Sequence, residues 1–189
     1  MLALGQRQQL AVGLTLALLM AATRGNHAGI LSQLPGASWA VFFLAGVYLR
    51  PRWAFAALMA QAVVIDAIAI GWAGVSDYCL TPAYGMLLPA YASLWLAGRW
   101  YVARHAQSLR SLARLAAAVI TGAASCELLA SGGFYFLSGR FAEPTLAEFG
   151  GRLAQYFPQY LQSMALWIGA AALVHVALAA LRARAVIRA

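Results

Sequence analysis

Apolar stretches of about 20 residues, separated by arginine-bearing or Gly/Pro-rich breaks, constrain this chain more than any other feature, because a run of that length is what an α-helix needs to cross the hydrocarbon of a bilayer. The breaks predict six spans, near Gln8–Thr23, Ser38–Leu49, Trp53–Trp72, Pro82–Tyr101, Leu112–Leu137 and Tyr160–Leu181. The second is short and is expected to borrow residues from Ile30 onward, interrupted at Pro35-Gly36. Composition agrees, since 63% hydrophobic and 10% charged residues leave too little charge to clothe a soluble domain. The chain therefore reads as an all-α integral membrane protein, a single transmembrane domain over residues 1–189. The run after Arg7, with small residues around Ala21, has the layout of a signal peptide, but we read it as a retained first span.

All thirteen basic residues are arginine, against five acidic ones, so the net charge is +8. These arginines stand at the ends of apolar runs rather than on a polar face interleaved with aromatics, which argues against nucleic acid and for a topology signal. Cytoplasmic loops of membrane proteins are enriched in Lys and Arg. With the N-terminus inside, the cytoplasmic set is Arg7, Arg50, Arg52, Arg99, Arg104, Arg110, Arg114, Arg182, Arg184 and Arg188, while Arg24, Arg140 and Arg152 stay outside. Both termini are thus expected in the cytoplasm, and the loops holding His27, Cys79 and Glu143 face outward.

The last outer connection, Ser138 to Pro158, contains a capping box, with Thr145 as N-cap and Glu148 three residues on. Leu146, Phe149, Leu153 and Phe157 follow at helical spacing. They predict a short amphipathic helix lying at the interface, a connector rather than a lid.

Two cysteines are too few for a disulfide framework, and no zinc spacing is present, so any metal or redox chemistry rests on one thiol. Cys79 is the candidate. It stands in an arginine-free outer loop, Ser76 to Tyr84, just ahead of Thr81-Pro82, which reads as an N-cap followed by proline at the first helical position. The positive end of a helix favours thiolate, the form needed in a nucleophile or metal ligand. Cys126, inside the fifth span, reads as an inert buried thiol. Ionisable residues within spans are costly in hydrocarbon and so are functional candidates until a structural partner is found. Asp66 is the first of these, either as a ligand contact or as a carboxyl paired with a neighbouring helix, and Glu127 is the second. His27 shares the outer side with Cys79 and is a candidate ligand or donor. Tyr78 and Tyr84 flank the cysteine loop, where they either join an aromatic belt or line a site for a large flat ligand. Gly13, Ala17 and Ala21 recur every fourth residue, a smooth stripe that lets another helix approach closely.

The six-helix layout, the Ala17-xxx-Ala21 stripe, His27, the intramembrane Asp66 and the segment Asp77-Tyr78-Cys79-Leu80-Thr81-Pro82-Ala83-Tyr84 together resemble the BtuM family of bacterial cobalamin transporters. That family is similar to the substrate-binding S-components of energy-coupling factor (ECF) transporters. The resemblance implies an ECF S-component-like bundle in the bacterial cytoplasmic membrane that captures cobalamin from outside. It further implies that Cys79 ligates the cobalt, that His27, Asp66 and Tyr84 orient the corrin amides or shape the pocket, and that Ala17 and Ala21 dock a coupling subunit; Tyr78 joins the candidate corrinoid contacts from its place beside the cysteine. A thiolate opposite cyanide would also weaken the cobalt–cyanide bond, which gives Cys79 an expected role in decyanation. No GxxxxGK[ST] motif is present, so ATPases would be separate subunits. The principal alternative from the residues alone is a membrane thiol enzyme, a peptidase or acyl transferase, with Cys79 as nucleophile and His27 as base. A thiol–disulfide oxidoreductase and an S-component for another vitamin are weaker alternatives.

Overall fold

The computed structural model describes residues 4–24, 34–72, 74–106 and 108–187, with side chains described as far as Leu181. Among the described residues the chain is all-helical. The α-helices are α1 (Gln6–Arg24), α2 (Ser38–Tyr48), α3 (Trp53–Trp72), α4 (Leu87–Ala103), α5 (Leu109–Leu137) and α6 (Leu146–Ile187), with short 3-10 turns at Asp77–Cys79 and Pro82–Met86. Three are long and apolar enough to cross a membrane: Trp53–Trp72, Leu109–Leu137 and the Leu146–Leu181 part of α6.

The shortest helix is the centre of the bundle. α2 packs against every other α-helix, and every residue from Ala40 to Val47 is buried. Lipid is as apolar as a leucine side chain, so helices in a bilayer associate mainly through close van der Waals packing at small residues. That is how α2 meets α4. A Cβ added at Gly46 would lie 2.2 Å from the carbonyl oxygen of Trp95, and one at Gly98 would lie 2.2 Å from that of Phe43. Glycine on each partner lets the two backbones touch. α4 continues the packing onto α5, where Gly122 faces Ala97. The outer surface is the reverse, with Leu14, Leu18, Val64, Ile68, Leu166 and Leu173 all exposed, an apolar exterior that suits a membrane protein.

Polar contacts sort the helix ends. At one end Gln9 on α1 accepts from the Arg50 amide, Arg99 donates to the Leu49 carbonyl, and Arg114 donates to the Arg104 carbonyl. His175 of α6 lies beside Tyr48 toward the same end. The C-terminal ends of α1, α3 and α5 gather at the opposite end with the start of α6, and the cavity described below lies there.

Two expected boundaries change. The amphipathic segment after Thr145 and the last span are one 42-residue helix that runs through Pro158. A rise of about 1.5 Å per residue gives it roughly 63 Å, about twice the thickness of bilayer hydrocarbon. Proline removes one amide donor, the one that would bond the Ala154 carbonyl. Ala154 is exposed, and helix-forming sequence on both sides carries the helix across the gap. The fourth span begins as a 3-10 turn at Pro82 and becomes α-helical at Leu87, five residues later than expected. Residues 30–33, expected to lengthen the second span, lie outside the described residues.

Candidate functional site

A cavity of about 400 Å³ opens at the cysteine-loop end, with walls from α1, α3, the Cys79 loop, α4, α5 and α6. Arg24 and Asp66 form its polar floor. Arg24 ends α1, where a cation complements the negative end of the helix dipole. Its Nε donates to Asp66 Oδ1 and its Nη2 to Asp66 Oδ2, both at 2.7 Å, a two-pronged pair linking α1 to α3. Nη1 donates to the Tyr91 hydroxyl of α4 at 2.7 Å and to Ser38 Oγ at the start of α2 at 3.2 Å. Tyr84 donates its hydroxyl to Asp66 Oδ2 at 2.7 Å. Tyr91 is in turn held by stacking on Phe42, with ring centroids 4.4 Å apart. The Arg24 and Asp66 side chains are only 11% and 25% exposed, so the pair acts in a low-dielectric setting where its geometry matters.

Of the two readings of Asp66, the structure therefore supplies the partnered one: both carboxylate oxygens are engaged, while the residue still lines the cavity. Its partner, Arg24, reads from the sequence only as an outer-loop charge. A signal for the pairing exists, because a carboxylate within an apolar run is costly unless it is partnered, and Arg24 closes the first apolar run.

Cys79 is a free, exposed cysteine on the cavity wall, at the end of its 3-10 turn. Tyr84 shares that wall. Tyr78 does not: it is half-exposed, packed on Phe134 with ring centroids 5.7 Å apart, and the Arg140 guanidinium lies 4.9 Å from its ring centre. Thr81 adopts the extended backbone of a cap and its carbonyl accepts from the Tyr84 amide at 2.8 Å. Its hydroxyl, however, makes no capping bond; it is sealed from solvent and without a partner. Thr81 thus caps through its backbone alone, and the helical run beyond Cys79 opens as the tighter 3-10 turn. His27 lies outside the described residues.

The far wall comes from α5 and α6. Thr145 Oγ1 accepts from the Glu148 amide at 3.2 Å, as the capping box predicts. The reciprocal half is replaced by Tyr135 of α5, whose hydroxyl accepts from the Thr145 amide at 3.1 Å and donates to Glu148 Oε2 at 3.0 Å. Glu148 also faces Arg152 at 3.7 Å, and Arg152 lies 4.9 Å from the centre of the Phe141 ring. Tyr135 is almost fully buried, so this relay fastens the start of α6 to α5 over the cavity. Nearby, Glu127 of α5 is 2% exposed and accepts from Ser131 Oγ at 2.7 Å. Cys126 is fully buried, matching the inert thiol expected there.

The small-residue stripe of α1 borders a second hollow of about 630 Å³ between α1 and α3, at the arginine-rich end. Gly13 and Ala17 line it, and the Ala17 carbonyl accepts from Gln61 Nε2 at 2.7 Å. Ala21 is exposed.

Among the described residues no three His, Cys, Asp or Glu side chains converge to hold a metal ion by themselves. In comparisons with known proteins, no family model and no curated protein matches the chain.

Proposed function

We propose that this chain crosses the bacterial cytoplasmic membrane six times, with both ends inside, and captures cobalamin or a related corrinoid from the outer side. The observation that carries this reading is the free, exposed Cys79 thiol in the wall of a cavity whose floor is a fixed Arg24–Asp66–Tyr84 cluster. A corrin ring supplies four nitrogens to its cobalt and leaves two axial positions, so the protein needs one strong, soft donor and no ligand cluster. A thiolate is such a donor. The cavity volume is within the range of about 300–1,000 Å³ common for small-molecule sites. It suits the metal-bearing face of a corrinoid, the remainder extending through the mouth.

In this reading Tyr84, and Asp66 through it, orient the ring and its amide substituents, and His27 and Tyr78 are further corrinoid contacts. Both oxygens of Asp66 are already engaged, so its part is to hold Arg24 and Tyr84 in place. Ala17 and Ala21 would meet a coupling subunit served by separate ATPases, as the resemblance to S-components implies. With cyanocobalamin, thiolate donation would weaken the opposite Co–C bond. Cyanide would depart with the bonding electron pair, water would fill the vacated position, and the cobalt would keep its oxidation state.

The test is binding of cobalamin to the purified protein beside Cys79→Ala. The unaltered protein is expected to hold red corrinoid with an altered visible spectrum, and Cys79→Ala to lose both the spectral change and most of the affinity. Corrinoid binding that ignores the substitution would remove the thiol from the mechanism. No corrinoid binding, with Cys79 labelled by an acyl-type thiol inhibitor, would favour the thiol enzyme.

A further inference from the structure

The carboxylates of the outer end differ in what they still have to offer. Asp66 has Arg24 on both oxygens and Tyr84 on one. Glu148 has Tyr135 and Arg152. Glu127 has one neutral donor, Ser131 Oγ on Oε1, and among the described residues no cation pairs with it. It is 2% exposed and yet part of the cavity wall, together with Ser131. A buried carboxylate without a cation is costly in a low-dielectric wall unless it takes up a proton or something in the cavity donates to it. Arg24 and Asp66 cancel in charge, as do Arg152 and Glu148, so Glu127 is the acceptor left over.

We propose that Glu127, positioned by Ser131, is a second recognition group of this cavity: a hydrogen-bond acceptor for a nitrogen donor of the ligand, an amide or an ammonium group. For a corrinoid the donor is one of the primary amides around the ring, and in that form the proposal rests on the function proposed above. The same group disfavours ligands that present a carboxylate at that point, because two ionised carboxylates there repel, and pairing them requires taking up a proton. Glu127→Gln keeps the shape and the Ser131 contact but turns half of the acceptor into a donor.

Two measurements on the full chain in detergent test it. The first needs no corrinoid: Cys79 is modified with a cationic and an anionic methanethiosulfonate reagent, with Cys79→Ser correcting for reaction elsewhere. The ratio of cationic to anionic rates is expected to fall in Glu127→Gln and to be kept in Glu127→Asp, which retains the charge. An unchanged ratio in Glu127→Gln overturns the proposal, as does an equal fall in Glu127→Asp. The second compares cobalamin with analogues in which single ring amides are hydrolysed to carboxylates. Loss of one charge-assisted hydrogen bond should weaken cobalamin binding by Glu127→Gln about tenfold or more, and the variant should regain binding of one carboxylate isomer that the unaltered protein rejects. If the protein binds no corrinoid but the reagent ratio follows Glu127, the subsite stands and the proposed function falls. If corrinoids bind and Glu127→Gln alters neither their order nor the reagent ratio, the function stands and the subsite falls.

Discussion

Replacing Arg24 by Met should unlock the cysteine-loop end of the bundle. The guanidinium bonds two oxygens of Asp66, the Tyr91 hydroxyl and Ser38 Oγ, joining α1 to α3, α4 and α2. Removing one partner of a buried, hydrogen-bonded pair costs roughly 3–5 kcal/mol, because the other charge stays buried and unpaired. Asp66 is 25% exposed and would keep the Tyr84 bond, which places Arg24→Met at the low end, about 3 kcal/mol. In a chain of this size 1 kcal/mol moves Tm by about 2–4 °C, so a fall of roughly 6–12 °C is expected. Tryptophan fluorescence during thermal unfolding in mild detergent reads it. The double variant Arg24→Met with Asp66→Leu should recover much of the loss, since exchanging a whole buried pair for apolar side chains is often near neutral. Single variants that melt within about 2 °C of the unaltered protein, or a double variant that loses the sum of the two, would refute the pairing as a structural clamp.

Gly98→Ala puts a methyl group against the Phe43 carbonyl, where neither backbone can yield without moving α2, and should cost about 1–3 kcal/mol or more. Gly132→Ala meets only the Phe149 ring, 3.3 Å away, so its melting temperature should fall much less. Tyr135→Phe removes the hydroxyl that accepts from the Thr145 amide and donates to Glu148, and should raise hydrogen exchange in the first turn of α6 while leaving α4 unchanged. Equal exchange in both helices would mean that Tyr135 does not anchor α6.

Much of the helical layout is legible in residues that physical chemistry singles out early. Trp53 and Trp72 bound the third helix as the hydropathy pattern predicts, and Thr145 caps α6 where the capping box places it. Where the reading departs from the structure, the cause is tertiary. Pro158 looks like a stop because proline lacks an amide, yet one missing bond at the exposed residue Ala154 is a small loss within a 42-residue helix. Thr81-Pro82 looks like an α-helical start, but the chain enters α4 through a tighter turn and leaves the threonine hydroxyl unused. At the site, Cys79, Asp66 and Tyr84 carry their own signals and line one cavity. Arg24, Tyr91 and Ser38 were invisible as a set because they are 14 and 67 residues apart from Arg24 in sequence and meet only when α1, α2 and α4 pack. Tyr78 shows the limit of proximity in sequence: one residue from Cys79, it packs on Phe134 beside the cavity wall.

The proposed chemistry hangs on a bond between one sulfur and one metal atom, and X-ray absorption at the cobalt edge of the corrinoid-loaded protein observes that bond directly. A sulfur neighbour of cobalt is expected in the unaltered protein and is expected to disappear in Cys79→Ala. A first shell of nitrogen and oxygen alone, the same in both proteins, would contradict it.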